Sequence, residues 1–131
     1  MRPTHVHPDD VADESWTGRA ESHLTWRTLI GRPDTPTAGL SGGVAELAPD
    51  GGRLEPHRHA PAELYHVLAG TGVVVVGEEC FDVRAGSTVF IPPATWHAIE
   101  NTGPDALRLF SCFPVDRFDE VVYEYAGDEA L

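Results

Sequence analysis

The sequence predicts an all-β protein folded as one sandwich or barrel of short strands, and three observations support this. Runs rich in β-branched and aromatic residues alternate with turn residues at short, even spacing over about residues 39–125. The 131 residues include 13 glycines and 11 prolines, which indicates many turns. No window keeps the period of an amphipathic helix. Regular short strands joined by tight turns are typical of sandwiches and barrels.

The elements follow in chain order. Residues 1 to about 23 are polar and acidic, and we expect an arm or a short helix there. Leu24–Ile30 reads as a strand that ends at a Gly-Arg-Pro-Asp turn. Further strands are expected at 42–48, 54–59, 63–69, 72–77, 80–84, 87–91, 95–101, 106–114 and 119–125. The chain length suits one domain, with an N-terminal arm and edge strand over 1–38 and a barrel with a C-terminal strand over 39–131.

Charge and composition argue against several classes of function. The net charge is −12 and all nine cationic side chains are arginines, so the chain should repel phosphate backbones and we expect no nucleic-acid binding. No apolar run approaches the roughly 20 residues of a membrane helix, and the N-terminus has no secretory signal. Two cysteines without a disulfide framework suit a reducing interior. We expect a cytoplasmic protein with no membrane partner.

Four side chains form a candidate metal site. His57 and His59 lie two residues apart at the end of an expected strand, so both imidazoles point to the same face. Glu63 follows after a turn at Ala60-Pro61, which can bring its carboxylate beside them. His97 lies on a later strand and would complete the set from across the barrel. Three imidazoles and one carboxylate suit one divalent transition metal: Fe, Mn, Ni, Co, Cu or Zn.

Such a site would be open, because a six-coordinate ion with four protein ligands keeps two positions for water, substrate or dioxygen. Structural zinc sites are more often closed and rich in cysteine. An H-x-H pair alone is often only polar surface, and the second such pair, His5-Val6-His7, has no supporting positions around it. We therefore expect the pair at 5–7 to belong to a surface or a flexible arm.

Two spaced patterns surround the four ligands. The first runs Gly51, His57, His59, Glu63, Gly70 with the spacing G-x5-H-x-H-x3-E-x6-G. The second runs Gly86, Pro92, Ala94, His97, Asn101 with the spacing G-x5-P-x-G-x2-H-x3-N, and Ala94 replaces its second glycine. The chain thus resembles the cupin superfamily, as a small single-domain (monocupin) metal-binding protein. The resemblance implies a double-stranded β-helix, or jelly-roll barrel, with a small-molecule site inside it. It also implies a homodimer, with the arm and the C-terminal strand as exchanged segments.

Strand alternation places one further candidate at the site. Tyr65 shares the face of Glu63, so its phenol should point into the barrel and either act in catalysis or simply pack there. His66 has the opposite parity and should face outward. Asn101 is expected to tie its strand end to a turn.

The cupin resemblance allows a dioxygenase, or a redox-neutral lyase, isomerase or cyclase, acting on a small organic molecule. The short cupin lyases of dimethylsulfoniopropionate are similar in size, in the three-His, one-Glu set and in a tyrosine near the metal. The alternative is a non-catalytic ligand-binding or sensor protein.

Overall fold

The computed structural model describes residues 1–15 and 23–127. In that part of the chain the strands agree with the sequence expectation to within a residue or two, except at the C-terminal end. They are β1 (Leu24–Ile30), β2 (Ser41–Leu47), β3 (Arg53–Arg58), β4 (Glu63–Ala69), β5 (Thr71–Val76), β6 (Glu79–Arg84), β7 (Thr88–Ile91), β8 (His97–Asn101), β9 (Leu107–Phe113) and β10 (Glu124–Tyr125).

The strands form two five-stranded sheets that face each other. The first sheet has the order β1-β2-β9-β4-β7, and the second has the order β10-β3-β8-β5-β6. Every pairing between these strands is antiparallel. Because consecutive strands often lie in different sheets, the chain winds around one shared interior, which confirms the all-β jelly-roll barrel. The boundary drawn at residue 38 stays a prediction.

Alternation along each strand decides what enters the interior. On β4, Glu63, Tyr65 and Val67 are buried, whereas Leu64 and Leu68 lie on the outer face and are partly exposed. The interior joins leucine, valine and isoleucine side chains from both sheets around Tyr65. Each such side chain contributes about 1.5–3 kcal/mol when fully buried, so the barrel has a real hydrophobic core beneath its polar site.

A register shift in β3 turns the side chain of His57 toward the interior of the barrel. Leu54 pairs with Ile99 of β8, but His57 pairs with His97, so β3 uses one residue more than β8 over this stretch. In a regular strand, two residues that are three positions apart, such as Leu54 and His57, lie on opposite faces. With the extra residue, both Leu54 and His57 are buried in the barrel. The irregularity therefore lets one strand supply both core and ligand side chains.

The C-terminal segment differs from the expectation of a strand over 119–125. Residues Phe118–Glu120 form a 3₁₀ helix, and only Glu124–Tyr125 form a strand, paired with Arg58 and His57 of β3. The backbone N–H of Phe118 donates to the carbonyl of Gly31, which draws the segment off the sheet and across the barrel. Arg58 and Glu124 then hold its end with a 2.7 Å ion pair. We call residues 114–125 the C-terminal strap.

The N-terminal arm contains a 3₁₀ helix at Pro8–Asp10, in line with the expected arm or short helix. An isolated bridge between Glu14 and Trp26 joins the arm to the edge strand β1 of the same chain. Within residues 1–15 and 23–127, none of the helices has the length and apolar character needed to cross a membrane.

Candidate metal centre

The structure brings the four predicted ligand side chains together between the two sheets. His57 and His97 come from adjacent strands of the second sheet, His59 follows the end of β3, and Glu63 begins β4 of the first sheet. One ligand atom from each lies within 4.8 Å of every other, and all four residues are buried. This buried cluster is consistent with a divalent metal. The role of each residue as a ligand remains a prediction.

Each imidazole is oriented by the backbone. The Nδ1 atom of His57 lies 2.7 Å from the carbonyl oxygen of Glu55, that of His59 lies 2.9 Å from Pro61, and that of His97 lies 2.8 Å from Thr95. A carbonyl oxygen can only accept, so each Nδ1 carries the proton and donates it. In each ring, Nε2 is then the atom left to bind a cation. Metal-binding histidines use this arrangement to fix tautomer and ring direction.

The Nε2 atoms show why a cation fits the cluster. Those of His59 and His97 lie 3.0 and 3.2 Å from the same Oε1 of Glu63. Two nitrogen lone pairs aimed at one carboxylate oxygen repel it unless a positive charge lies among them. The Nε2 of His57 is buried and has no hydrogen-bond partner among the described residues, a costly state for a polar atom. A divalent ion would satisfy all four atoms at once.

Burial also sets the charge state of His57. Removal from water, together with the positive charges that His97 and His59 can carry, lowers the pKa of His57 to about 3. The hydrogen bond to the carbonyl of Glu55 opposes this without reversing it. His57 is therefore neutral at physiological pH, which is the form that binds metals.

Tyr65 points into the barrel, as strand alternation predicts. It is 2% exposed, and its ring centroid lies 6.1 Å from that of His97. Its hydroxyl finds no hydrogen-bond partner in the described part of the chain. Burial, and then the neighbouring carboxylate of Glu63, raise the pKa of Tyr65 well above its usual value. A buried phenol without a partner costs free energy, so this hydroxyl is available for a ligand. Its catalytic role remains a prediction.

Sequence reasoning missed the aromatic side chains of the strap. The ring of Tyr123 stacks on the imidazole of His57 at 5.1 Å and 16°, and it meets the ring of His59 edge-on at 5.1 Å. Phe113, the last residue of β9, also contacts the ring of His59 at 5.1 Å. The alternation of Val121, Tyr123 and Tyr125 with other residues was the available signal, but it does not show where the strap lies.

A narrow cavity of about 50 Å³ extends from the cluster between the sheets. Glu63, Tyr65 and Tyr123 line the end at the cluster, and Trp26 and Phe118 also line it. Trp26 packs against the hydrophobic core and also lines this cavity.

Two motif residues outside the cluster position it. Ala94 has a left-handed backbone (φ 54°), and its N–H donates to the carbonyl of His59 at 2.9 Å. Asn101 lies within hydrogen-bonding distance of the carbonyls of Leu47, Ala48 and Asp105 through its amide nitrogen, and its Oδ1 accepts from Gly103. Asn101 therefore ties its strand end to neighbouring turns, as predicted.

The other candidate histidines stay outside the cluster. The Nδ1 of His66 pairs with Thr88 Oγ1 at 2.8 Å on the outer face, in agreement with its parity. His5 and His7 are exposed on the arm.

Residues 43–113 match the cupin-domain family, more than half of the chain, so the chain belongs to the cupin family. The fold and the three-His, one-Glu cluster are those of a small single-domain cupin. One relative is dimethylsulfoniopropionate lyase DddW of Ruegeria pomeroyi, 31% identical over 125 residues, which are 95% of this chain and 81% of the relative.

Two solved structures share the fold. A cupin 2 conserved barrel domain protein from Rhodopseudomonas palustris is 27% identical with a TM-score of 0.71, covering 97% of this chain and 88% of that one. The polyketide cyclase RemF from Streptomyces resistomycificus is 24% identical with a TM-score of 0.78, covering 95% and 86%.

Proposed function

We propose that this protein is a metal-dependent lyase that performs a redox-neutral elimination on a small organic acid. The observation that carries the proposal is the unpartnered phenol of Tyr65, buried beside the three-His, one-Glu cluster and lining the cavity. A lyase needs a base near the substrate carbon, and Tyr65 lines the cavity with a hydroxyl that has no hydrogen-bond partner among the described residues. The 31% identity to a dimethylsulfoniopropionate lyase over 95% of the chain supports the reaction class.

In this proposal His57, His59, Glu63 and His97 hold one divalent ion. The bound ion supplies a Lewis acid that polarises the substrate carboxylate and lowers the pKa of a phenol beside it. The four side chains come from strand ends, and a backbone carbonyl fixes each imidazole, so the ligand atoms would be held in place before the ion binds. Fe, Mn, Ni, Co, Cu and Zn all remain candidates, because the donor set suits each of them.

The elimination itself uses Tyr65. The phenolate oxygen removes a proton from the carbon next to the carboxylate, the electron pair forms a carbon–carbon double bond, and the leaving group departs with the electrons of its own bond. With dimethylsulfoniopropionate the products would be acrylate and dimethyl sulfide, and no oxidant or reductant is needed. The lining is mainly apolar and includes Phe118 and Tyr123 of the strap, so it offers few polar groups that would hold water near the reacting carbon.

The test compares the metal-loaded wild type with Tyr65→Phe, using dimethylsulfoniopropionate and detecting acrylate by NMR. We expect activity in the wild type and a loss of about 10²- to 10⁴-fold in the variant, the range for removal of a general base. Metal content should be equal in both proteins. Acrylate release at the wild-type rate by Tyr65→Phe would remove Tyr65 from the mechanism, and no release by either protein would contradict the lyase proposal for this substrate.

The second candidate is a dioxygenase that acts on a small organic molecule through Fe(II). It is favoured by the donor set, which leaves coordination positions free on a six-coordinate ion. Oxygen consumption by the Fe(II)-loaded protein with small phenols, thiols and enols separates it from the lyase. A non-catalytic binding protein would show ligand affinity without either reaction. The homodimer and the cytoplasmic location also remain predictions.

A further inference from the structure

We infer that the outer part of the cavity is an aromatic cage for a methylated cation, formed by Trp26, Phe118 and Tyr123. The substrate class would then be a zwitterion whose carboxylate faces the metal centre and whose sulfonium or quaternary ammonium group lies among the three rings. The inference deepens the proposed function and rests on it, because it concerns the substrate of the same site.

The rings stand at steep angles to one another. The centroids of Trp26 and Phe118 are 6.3 Å apart with the planes at 68°, and those of Phe118 and Tyr123 are 6.3 Å apart at 79°. Phe118 is thus the neighbour of both other rings, and all three line the same cavity at different angles. Cations bind the faces of aromatic rings within about 6 Å of the centroid, and quaternary ammonium groups are recognised by such cages.

The position of the cage suits a short zwitterion. All three rings line the cavity that also contacts Glu63 and Tyr65. Tyr123 stacks directly on His57, so the cage lies next to the metal cluster. Trp26 and Phe118 are partly exposed, which places the cage at the mouth rather than in the deep core. A ligand with two or three carbons between its charges could contact both regions.

The chemistry of the lining favours a methylated cation over other groups. Glu63 is the one charged side chain among the described residues that line the cavity, so no basic group there would hold an anion away from the metal. A primary ammonium is strongly hydrated and costly to bury among apolar walls. A sulfonium or quaternary ammonium carries its charge under methyl groups, which suit these walls. The net charge of −12 also favours the approach of a cationic group.

The experiment compares two ligands of equal shape. β-Alanine betaine carries a trimethylammonium group, and its tert-butyl isostere replaces the charged nitrogen by carbon. Both are titrated by calorimetry into Zn²⁺-loaded protein in the Tyr65→Phe background, where no elimination runs. We expect the betaine to bind about three- to thirtyfold more tightly than the isostere, the range expected for cation–π recognition.

Two ring variants and a matched control locate the effect. Phe118→Leu and Trp26→Leu keep an apolar wall but remove the ring, and each should reduce the betaine-to-isostere affinity ratio by about threefold or more. Phe110→Leu makes the same change on β9 outside the cavity lining and should leave the ratio unchanged. Thermal unfolding checks that each variant is folded.

Equal affinity for the two ligands in the folded parent protein would overturn the cage and leave an ordinary apolar pocket. A ratio unchanged in both ring variants would also overturn it. This experiment measures binding, so its outcome can be told apart from that of the lyase test. If no acrylate is produced, the betaine-to-isostere affinity ratio can still be measured. If the two ligands bind equally, acrylate production is unaffected.

Discussion

The chain contains the same three-residue pattern twice, and the two copies do different things. His5-Val6-His7 lies on the exposed arm, where the Nδ1 of His7 accepts from the N–H of Asp9 and caps a short 3₁₀ helix. His57-Arg58-His59 lies at the end of β3, where both imidazoles are buried and both Nδ1 atoms donate to carbonyls. In the first copy a ring nitrogen accepts a hydrogen bond and so caps the backbone of a short helix. In the second copy backbone carbonyls accept hydrogen bonds from the rings and so fix their direction.

The difference shows that spacing alone does not make a metal site. In the barrel copy, burial makes an unsatisfied nitrogen costly, and a carboxylate from the opposite sheet supplies the negative charge that a cation needs. In the arm copy, water solvates any nitrogen that the chain leaves free. Binding an ion would therefore stabilise the buried pair His57 and His59, whereas the exposed pair His5 and His7 gains nothing comparable.

The largest expected effect comes from exchanging the histidines of each copy for glutamine. His57→Gln with His59→Gln should remove metal retention, measured by elemental analysis after dialysis, because two of four ligands are lost. It should also remove the metal-dependent gain in stability, which is about 4 kcal/mol for a ligand at a thousandfold excess over its Kd. The matched control, His5→Gln with His7→Gln, should retain the ion. Equal metal loss in both proteins would place the site elsewhere.

The next effect is a loss of stability of the metal-free protein in acid. An imidazole in the unfolded chain has a pKa near 6.5, whereas that of folded His57 is about 3. Below pH 6.5 His57 is protonated in the unfolded chain but stays neutral in the folded protein. The free energy of unfolding therefore falls as the pH falls toward 3, by at most about 1.4 kcal/mol per pH unit. Urea unfolding of the wild type and of His57→Gln between pH 7 and pH 4 measures the difference. Parallel profiles would contradict the burial of a neutral His57.

A smaller effect concerns the turn that holds the barrel copy. Ala94→Gly should stabilise the protein by about 0.5–1 kcal/mol, because glycine adopts the left-handed backbone (φ 54°) without steric cost. The N–H that donates to His59 is kept. The control Ala69→Gly, at the end of β4, should destabilise by a similar amount. Thermal unfolding measures both, and a loss of stability in Ala94→Gly would contradict the strain at this turn.

The smallest effect is expected for His7→Ala. It removes the cap of a three-residue helix that has no buried residue, so stability should change by less than about 0.5 kcal/mol and metal content should not change. A large loss in either quantity would show that the arm copy contributes to the core or to the site.

Strand alternation and turn residues were enough to predict the barrel and the cluster. His57 and His59, Glu63 after its turn, and the inward Tyr65 all follow from local rules. The register shift of β3 was beyond those rules, because it depends on pairing with a strand about 40 residues away. The strap was beyond them too: residues 119–125 have strand-like composition, yet the hydrogen bond from Phe118 to Gly31 redirects them. The aromatic wall beside His57 therefore could not be located from local pattern.

The first sheet also determines how the protein must fold. β4, which carries Glu63, lies between β7 and β9, and β9 pairs in turn with β2, where Phe113 is opposite Ser41. Closing that pairing brings together segments some 70 residues apart, so the entropic cost of a long loop comes before most of the stabilising contacts. Chains dominated by such distant pairings typically fold in milliseconds to seconds. The metal ligands also depend on distant pairing, because His57 meets His97 only when β3 pairs with β8, 40 residues further along the chain. The rate of metal capture during refolding would therefore report the formation of the barrel.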